Sequence, residues 1–386
     1  MEIPEGWVEI PMQELSTKPI SYGVVQTGEN LEDGIPCVRV VDMAHGELDP
    51  SRMIKTSVAI STSYKKTILE KGDILIALRG IIGRAALANS KIEGCNLTRG
   101  IARISPDLSK CCPKFLFQTI NSPTFQYYIG SLANGSALQE ISIKTLRNAK
   151  VPVPKNVEQQ KRIAKLLGTW DRAIAATEAL IAKSEAQKKA LMQQLLTGKR
   201  RLPGFEGEWR EVNLTDIAEV TTGSSNREDS KLVGEYVFFD RSTDIRRSAR
   251  FLFDTEAVIV GGEGQEFVPK YFEGKFDLHQ RAYAIHTSDQ YSIRYLYYII
   301  HYKRHLLRRF AVGSTVASLR MGTFTKIPVP IITLAEQKGI VAILDSNSLE
   351  IQALKAKLQT LKTEKTALMQ QLLSGKRRVK LTEAAV

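Results

Sequence analysis

One twelve-residue run occurs twice in this chain. Ala190-Leu-Met-Gln-Gln-Leu-Leu-Thr-Gly-Lys-Arg-Arg201 returns as Ala367-Leu-Met-Gln-Gln-Leu-Leu-Ser-Gly-Lys-Arg-Arg378, offset by 177 residues and changed only where Thr197 becomes Ser374. The offset extends back to Gln159-Gln160-Lys161 and Glu336-Gln337-Lys338, and Val151-Pro-Val-Pro154 and Ile327-Pro-Val-Pro330 stand just upstream. Paired prolines favour extended backbone and end whatever precedes them. Each copy therefore enters from extended backbone and leaves through a glycine. Any fold of this chain must build the same long element twice.

Between the prolines and the glycines the apolar spacing is that of a helix with a heptad seam. In the first copy the seam is Ile163, Leu167, Trp170, Ile174, Thr177, Ile181, Ser184, Lys188, Leu191 and Leu195. The second copy keeps the steps of 4 and 3 through Ile340, Leu344, Asn347, Ile351, Leu354, Leu358, Leu361, Lys365, Leu368 and Leu372. Lys188 and Lys365 interrupt the two seams at the same place. Gly198 and Gly375 suit the C′ position, and the Lys-Arg-Arg after each complements a negative helix end. The 130 or so residues between the two helices form a domain, and domain termini are often close together. The second helix is thus expected to start near the end of the first and run antiparallel to it.

The flanking regions echo each other faintly. Gly34 to Asp42 compares with Gly234 to Arg241, Gly72 to Gly80 with Ala257 to Gly264, and Ile101 to Ile104 with Ala282 to Ile285. These short apolar runs bounded by glycine read as strands and turns, and Pro113 to Ile129 and Ile293 to Phe310 as helices. The expected architecture is mixed α/β: two similar globular domains (1–155 and 202–332), two long antiparallel helices in a coiled coil (156–201 and 333–378), a short tail (379–386), and a circular pseudo-twofold layout.

The net charge of +13 suggests a nucleic-acid partner, but its distribution is uneven. Segment 158–201 has 10 basic and 4 acidic residues and segment 336–380 has 9 and 4, so +11 of the total lies on the helical segments. The globular parts must use local clusters if they touch DNA. Catalytic signatures are missing from the sequence: no GxxxxGK[ST], no GxGxxG, no HExxH, and no Asn/Asp-Pro-Pro-aromatic tetrad of the kind amino-methyltransferases use. Glu266 and Lys270 alone do not make a nuclease. His301 and His305 are four apart amid Lys303, Arg304, Arg308 and Arg309, which reads as a basic face and not a metal site. The four cysteines (Cys37, Cys95, Cys111, Cys112) lack metal-ligand spacing and are expected to be reduced. The acidic opening residues and the absence of any apolar run near 18 residues suggest a cytoplasmic protein.

The order of domain, I/V-P-V-P, Gln-Lys heptad helix, Q-Q-L-L-[ST]-G-K-R-R, domain and helix resembles the specificity subunit of type I restriction-modification enzymes. The resemblance covers essentially the whole chain. It implies two target-recognition domains, each reading half of a bipartite asymmetric DNA target. It also implies helices that set the unread spacer and dock two modification subunits, with no catalysis by this chain. S-adenosylmethionine, ATP and Mg would then belong to the modification subunits and to the restriction and motor subunits. A non-reading structural adaptor and a self-sufficient methyltransferase or nuclease are the rival readings.

Groove reading needs Arg or Lys for guanine and Asn or Gln for adenine, with phosphate contacts fixing register. In the first domain Arg79 and Arg84 flank a glycine turn, Asn96 and Arg99 share a second loop, and Lys65 and Lys66 are phosphate candidates. In the second, the matching turn holds Gln265 and Lys270, the second loop His279, Gln280 and Arg281, and an earlier loop Arg241, Arg246 and Arg247. Ser136 and Ser314 precede the two Pro-Val-Pro runs. Apolar positions off the seam, Leu166, Leu180, Met192 and Leu196, are the expected docking residues for partner subunits.

Overall fold

A computed structural model describes residues 4–45, 48–133, 139–242, 244–287, 290–313 and 315–379. The repeat becomes two helices of equal length, Val157–Leu195 and Leu334–Leu372, 39 residues each. They start alike. The side chain of Asn156 accepts from the N–H of Glu158 at 2.8 Å, and that of Thr333 from the N–H of Glu336 at 3.3 Å, giving each first turn a polar cap. They also end alike, with Gly198 at φ 69° and Gly375 at φ 71°. Beyond the glycines the N–H of Arg200 returns to Gln194 O and that of Arg377 to Gln371 O, a closure that needs the left-handed glycine.

The chain divides into two compact units, and the division falls inside both helices. One unit comprises residues 1–178 and 357–386, the other 179–356. Each unit is thus one globular domain with half of each long helix, a grouping by contact that cuts across the four segments marked by the repeat.

In the first unit, Trp7–Pro11 pairs antiparallel with Lys150–Pro154, so the proline-rich strand leads straight into the helix. The half-helices are antiparallel, as Asp171 binds Lys365 at 2.6 Å and Glu178 binds Lys362 at 2.8 Å. Ile163, Ala164 and Leu167 from one and Met369, Leu372 and Leu373 from the other share the domain's main core with Phe115, Leu116 and Val151. A four-stranded sheet is centred on Ile74–Ala77 and Ile101–Ile104, and a three-stranded one on Ile35–Val38. Ile74 and Ile76 face the main core, while Leu75 and Ala77 face a second one. Period-two alternation on a fully buried strand thus separates two apolar layers.

The second unit repeats this plan. Arg210–Asn213 pairs with Pro328–Ile331. Glu185 with Lys355 and Arg201 with Glu336 again set the half-helices antiparallel. Val258 and Val260 face the helix-side core, and Ala257 and Ile259 the other. Here the remaining strands join in one six-stranded sheet. The cause is one strand: Lys270–Leu278 is continuous and bridges both halves of the sheet, whereas in the first domain Ala85–Leu87 and Asn96–Leu97 stand in its place with residues 88–95 between them.

All twenty seam positions are buried or half-buried, as the heptad reading expected. The four cysteines are free thiols; burial pushes Cys37 up to about 11 and Cys111 up to about 12.

Candidate nucleic-acid interface

Backbone hydrogen bonds bring three separated segments together in each domain. In the second, Gly262 N–H donates to Arg281 O at 2.8 Å, Leu319 N–H donates to Gly262 O at 2.7 Å, and Glu263 bridges to Ser318. In the first, Leu78 N–H donates to Gly100 O at 2.8 Å, Ile141 N–H donates to Leu78 O at 2.9 Å, and Arg79 bridges to Glu140. The two patterns match bond for bond. Leu78 corresponds to Gly262, Gly100 to Arg281 and Ile141 to Leu319, which confirms the faint echoes in the sequence. The next residues, Ser142 and Arg320, stand at the N-caps of the short helices Ile143–Asn148 and Met321–Phe324.

The common backbone carries different chemistry. In the second domain it encloses a cleft of about 480 Å³ lined by Glu263, Gln280, Arg281, Ser318, Arg320 and Met321. Glu263 accepts hydrogen bonds from the guanidinium groups of both Arg241 and Arg281. Burial works to raise its carboxyl, but the bonds from Arg281 and Arg241 outweigh it and hold the group below the usual carboxylate range. In the first domain the matching positions hold exposed Arg79 and Arg99. An arginine stands where its counterpart has a glutamate.

The sequence candidates fall into groups. Gln280 and Arg281 line the second-domain cleft and Arg241 is joined to it through Glu263, while Arg79 and Arg99 are exposed on the matching backbone of the first domain. Gln265 is exposed on the turn beyond Glu263. Arg84 is half-buried, its carbonyl closing the turn onto Ala77 N–H at 2.9 Å. Lys65 and Lys66 are exposed and line another cleft, of about 340 Å³, with Tyr22 and Arg147. Arg246 and Arg247 lie not on a loop but on the edge strand Ile245–Ser248, three places in the sheet order from Phe253–Gly261. Ser136 and Ser314 lie outside the described residues.

Three candidates are corrected as direct DNA contacts. Asn96 is fully buried on a strand, where its amide binds Ser61, Tyr64 and Thr67 and holds that segment to the sheet. His279 is 6% exposed; its Nδ1 accepts from Arg281 N–H at 2.9 Å, and burial, with Arg241 nearby, lowers its proton affinity. Lys270 sits on a strand, donates to Ser242 O at 2.8 Å and lies over the Phe239 ring. Each shapes a loop from behind.

Among the expected docking residues, Leu166 and Leu180 are exposed. Leu166 lines a groove of about 800 Å³ with Trp170, Ala367 and Leu368. Met192 and Leu196 are corrected: both are buried in the second domain's core, because the last helical turn packs beneath Trp209 and Leu214. Sequence reading missed Glu263, Glu140, Arg320 and Met321. Arg320 had a signal, since it stands eight residues before the second Pro-Val-Pro as Ser142 stands ten before the first. Among the described residues no His, Cys, Asp and Glu group suits a metal, and no helix is long and apolar enough to cross a membrane.

The family model described as type I restriction modification DNA specificity domain matches residues 4–186 and 206–363, once for each half of this duplicated architecture. The chain belongs to that family. As a member of the type I specificity family, it is 32% identical over 217 residues to the EcoBI specificity subunit of Escherichia coli, covering 55% of this chain and 44% of that one. It is 22% identical to the MjaVIII specificity subunit of Methanocaldococcus jannaschii over 98% of this chain and 95% of that one. The match thus spans less than half the length of the EcoBI subunit, but nearly all of the MjaVIII subunit. The S subunit of a type I restriction-modification system from M. genitalium shares the fold with a TM-score of 0.66 at 15% identity, covering 99% of each chain. A chain from a structure described as the basis of complex assembly and conformational transition of the type I R-M system gives 0.57 at 17% identity, covering 98% of this chain and 100% of that one.

Proposed function

We propose that this chain is the DNA-recognition subunit of a type I restriction-modification complex and has no catalytic activity of its own. Each domain reads one half of a bipartite, asymmetric target. The observation that carries this reading is the pair of matching backbone frames: the same hydrogen bonds display Arg79 and Arg99 in one domain and Glu263, Gln280, Arg281 and Arg320, around a cleft, in the other. Matching frames with different groove-reading side chains are what recognition of two different sequences requires.

The paired helices set the length of the unread spacer, and an insertion near Ala186 lengthens that gap. Two modification subunits dock along the coiled coil, with the apolar groove at Leu166 and Trp170 and the exposed Leu180 as contact points. These partners bring S-adenosylmethionine and methylate adenine; restriction and motor subunits bring ATP hydrolysis, Mg and cleavage. Sequencing the methylome of a host with and without this gene tests the assignment. Loss of a bipartite methylated motif is the expected result. An unchanged methylome would overturn it in favour of an adaptor, and methylation by the purified chain alone in favour of an enzyme.

A further inference from the structure

The sequence Gly261-Gly262-Glu263 makes room for two arginines and then binds both. A Cβ on Gly261 would come within 3.0 Å of Arg241 O and 3.1 Å of its Cα; a Cβ on Gly262 would lie 2.4 Å from Arg281 O. Neither glycine has a positive φ. Their small size therefore serves close approach of two other segments. Those segments bring Arg241 and Arg281, and the next residue, Glu263, joins both guanidinium groups.

The Arg281 loop is fixed at its root as well. His279 N–H donates to Phe239 O at 2.9 Å, Gln280 N–H to Ser225 O at 2.9 Å, Arg281 N–H to His279 Nδ1 at 2.9 Å, and Ala282 N–H to His279 O at 2.9 Å. Root and tip of the arginine are both held. Glu263 takes Nη1 of each guanidinium. No hydrogen bond to the protein engages Nε or Nη2 of either arginine among the described residues. The side chains remain open to solvent, 41% exposed at Arg241 and 61% at Arg281. An arginine free along its Nε–Nη2 edge presents two parallel donors, the geometry that pairs with O6 and N7 of guanine.

We propose that Glu263 is a positioning residue that holds Arg281 and Arg241 as two rigid guanine-reading forks, so that the half-target of the second domain contains guanine. This deepens the DNA-recognition reading above and rests on it. The first domain reads by other means, since Arg79 stands where the second domain has Glu263. Holding a fork in place before binding removes the ordering cost that a free arginine would meet.

The test uses the full chain assembled with its modification subunits and a plasmid library in which the target is randomised one base pair at a time, read by sequencing methylated products. The wild-type complex is expected to require a G·C pair at one or more positions of the second half-site. R281K keeps the charge and loses the fork, and E263Q keeps the shape and loses the brace. Both are expected to relax that preference about tenfold or more, with every position of the first half-site unchanged. A second half-site made of A·T pairs alone would overturn the proposal, as would variants that leave the G·C preference intact or weaken both halves equally. A wild-type complex that methylates no bipartite motif would overturn the DNA-recognition reading itself, and this proposal with it.

Discussion

Gln160 makes in the first unit the connection that Gln337, 177 residues later, makes in the second. Gln160 Oε1 accepts from Cys112 N–H at 2.8 Å, and its Nε2 donates to the carbonyls of Lys110 and Pro154. Gln337 Oε1 accepts from Ser292 N–H at 2.9 Å, and its Nε2 donates to Ile332 O. Cys112 and Ser292 are the N-cap residues of the domain helices Pro113–Ile120 and Ile293–Tyr302. One buried amide thus locks each long helix to its own domain. Replacing either glutamine by leucine strands these groups, and a loss of about 1–3 kcal/mol per site is expected, read as a lower urea midpoint.

Gly375 and Gly198 hold the same left-handed turn under different crowding. A Cβ on Gly375 would lie 2.7 Å from Pro4 Cγ and 2.9 Å from Trp7 Nε1, whereas on Gly198 the nearest atoms are in the Trp209 ring at 3.1 Å. Both alanine variants meet the backbone penalty of roughly 1–2 kcal/mol. G375A must also displace a proline, so thermal unfolding is expected to show the larger drop there. Equal losses would mean that Pro4 and Trp7 yield freely.

The two seam lysines have unequal partners. Lys365 pairs with Asp171 at 2.6 Å and is 19% exposed. Lys188 has no ion pair among the described residues and lies 5.5 Å from the Tyr298 ring centre, with burial lowering its proton affinity. K188M is therefore expected to raise stability by about 1 kcal/mol, and K365M to lower it by a similar amount. Denaturant titration of the two variants, compared in sign, checks this.

His301 gives the second unit a pH dependence. Burial first, then the charges of Arg304 and Lys188, push its imidazole down to about 4, and its Nδ1 has no hydrogen-bond partner among the described residues. The unfolded chain binds the proton near pH 6.5 while the folded one resists until about 4. Stability is thus fully present above 6.5 and declines as pH falls toward 4, by about 3 kcal/mol at most. H301Q removes this contribution, and its stability profile is expected to be flatter over that window.

The long helices were legible because their pattern is local and occurs twice; every seam position from Ile163 to Leu372 is at least half-buried. The cleft was legible only in part. Arg281 could be suspected from the polar loop it shares with His279 and Gln280, but Glu263 could not, because its role depends on Arg241, which is 22 residues away in the chain. Asn96 and His279 misled for the opposite reason. A polar side chain before a turn looks exposed in sequence, yet both residues turn inward to bind backbone groups. Met192 and Leu196 fall off the seam only while two helices are considered; a third layer, the domain core, covers them.

The turn at Gly198 packs on Trp209, eleven residues further along an unbroken chain, and the turn at Gly375 packs on Trp7, reached only through space. Arg378 adds a bond to the carbonyl of Glu5, much as Arg201 bonds those of Glu206 and Gly207. The same joint is made once with a covalent tether and once without. Connectivity is therefore not what specifies the joint: peptide bonds link Gly198 to Trp209, while packing and hydrogen bonds hold Gly375 and Arg378 to the segment at Glu5 and Trp7.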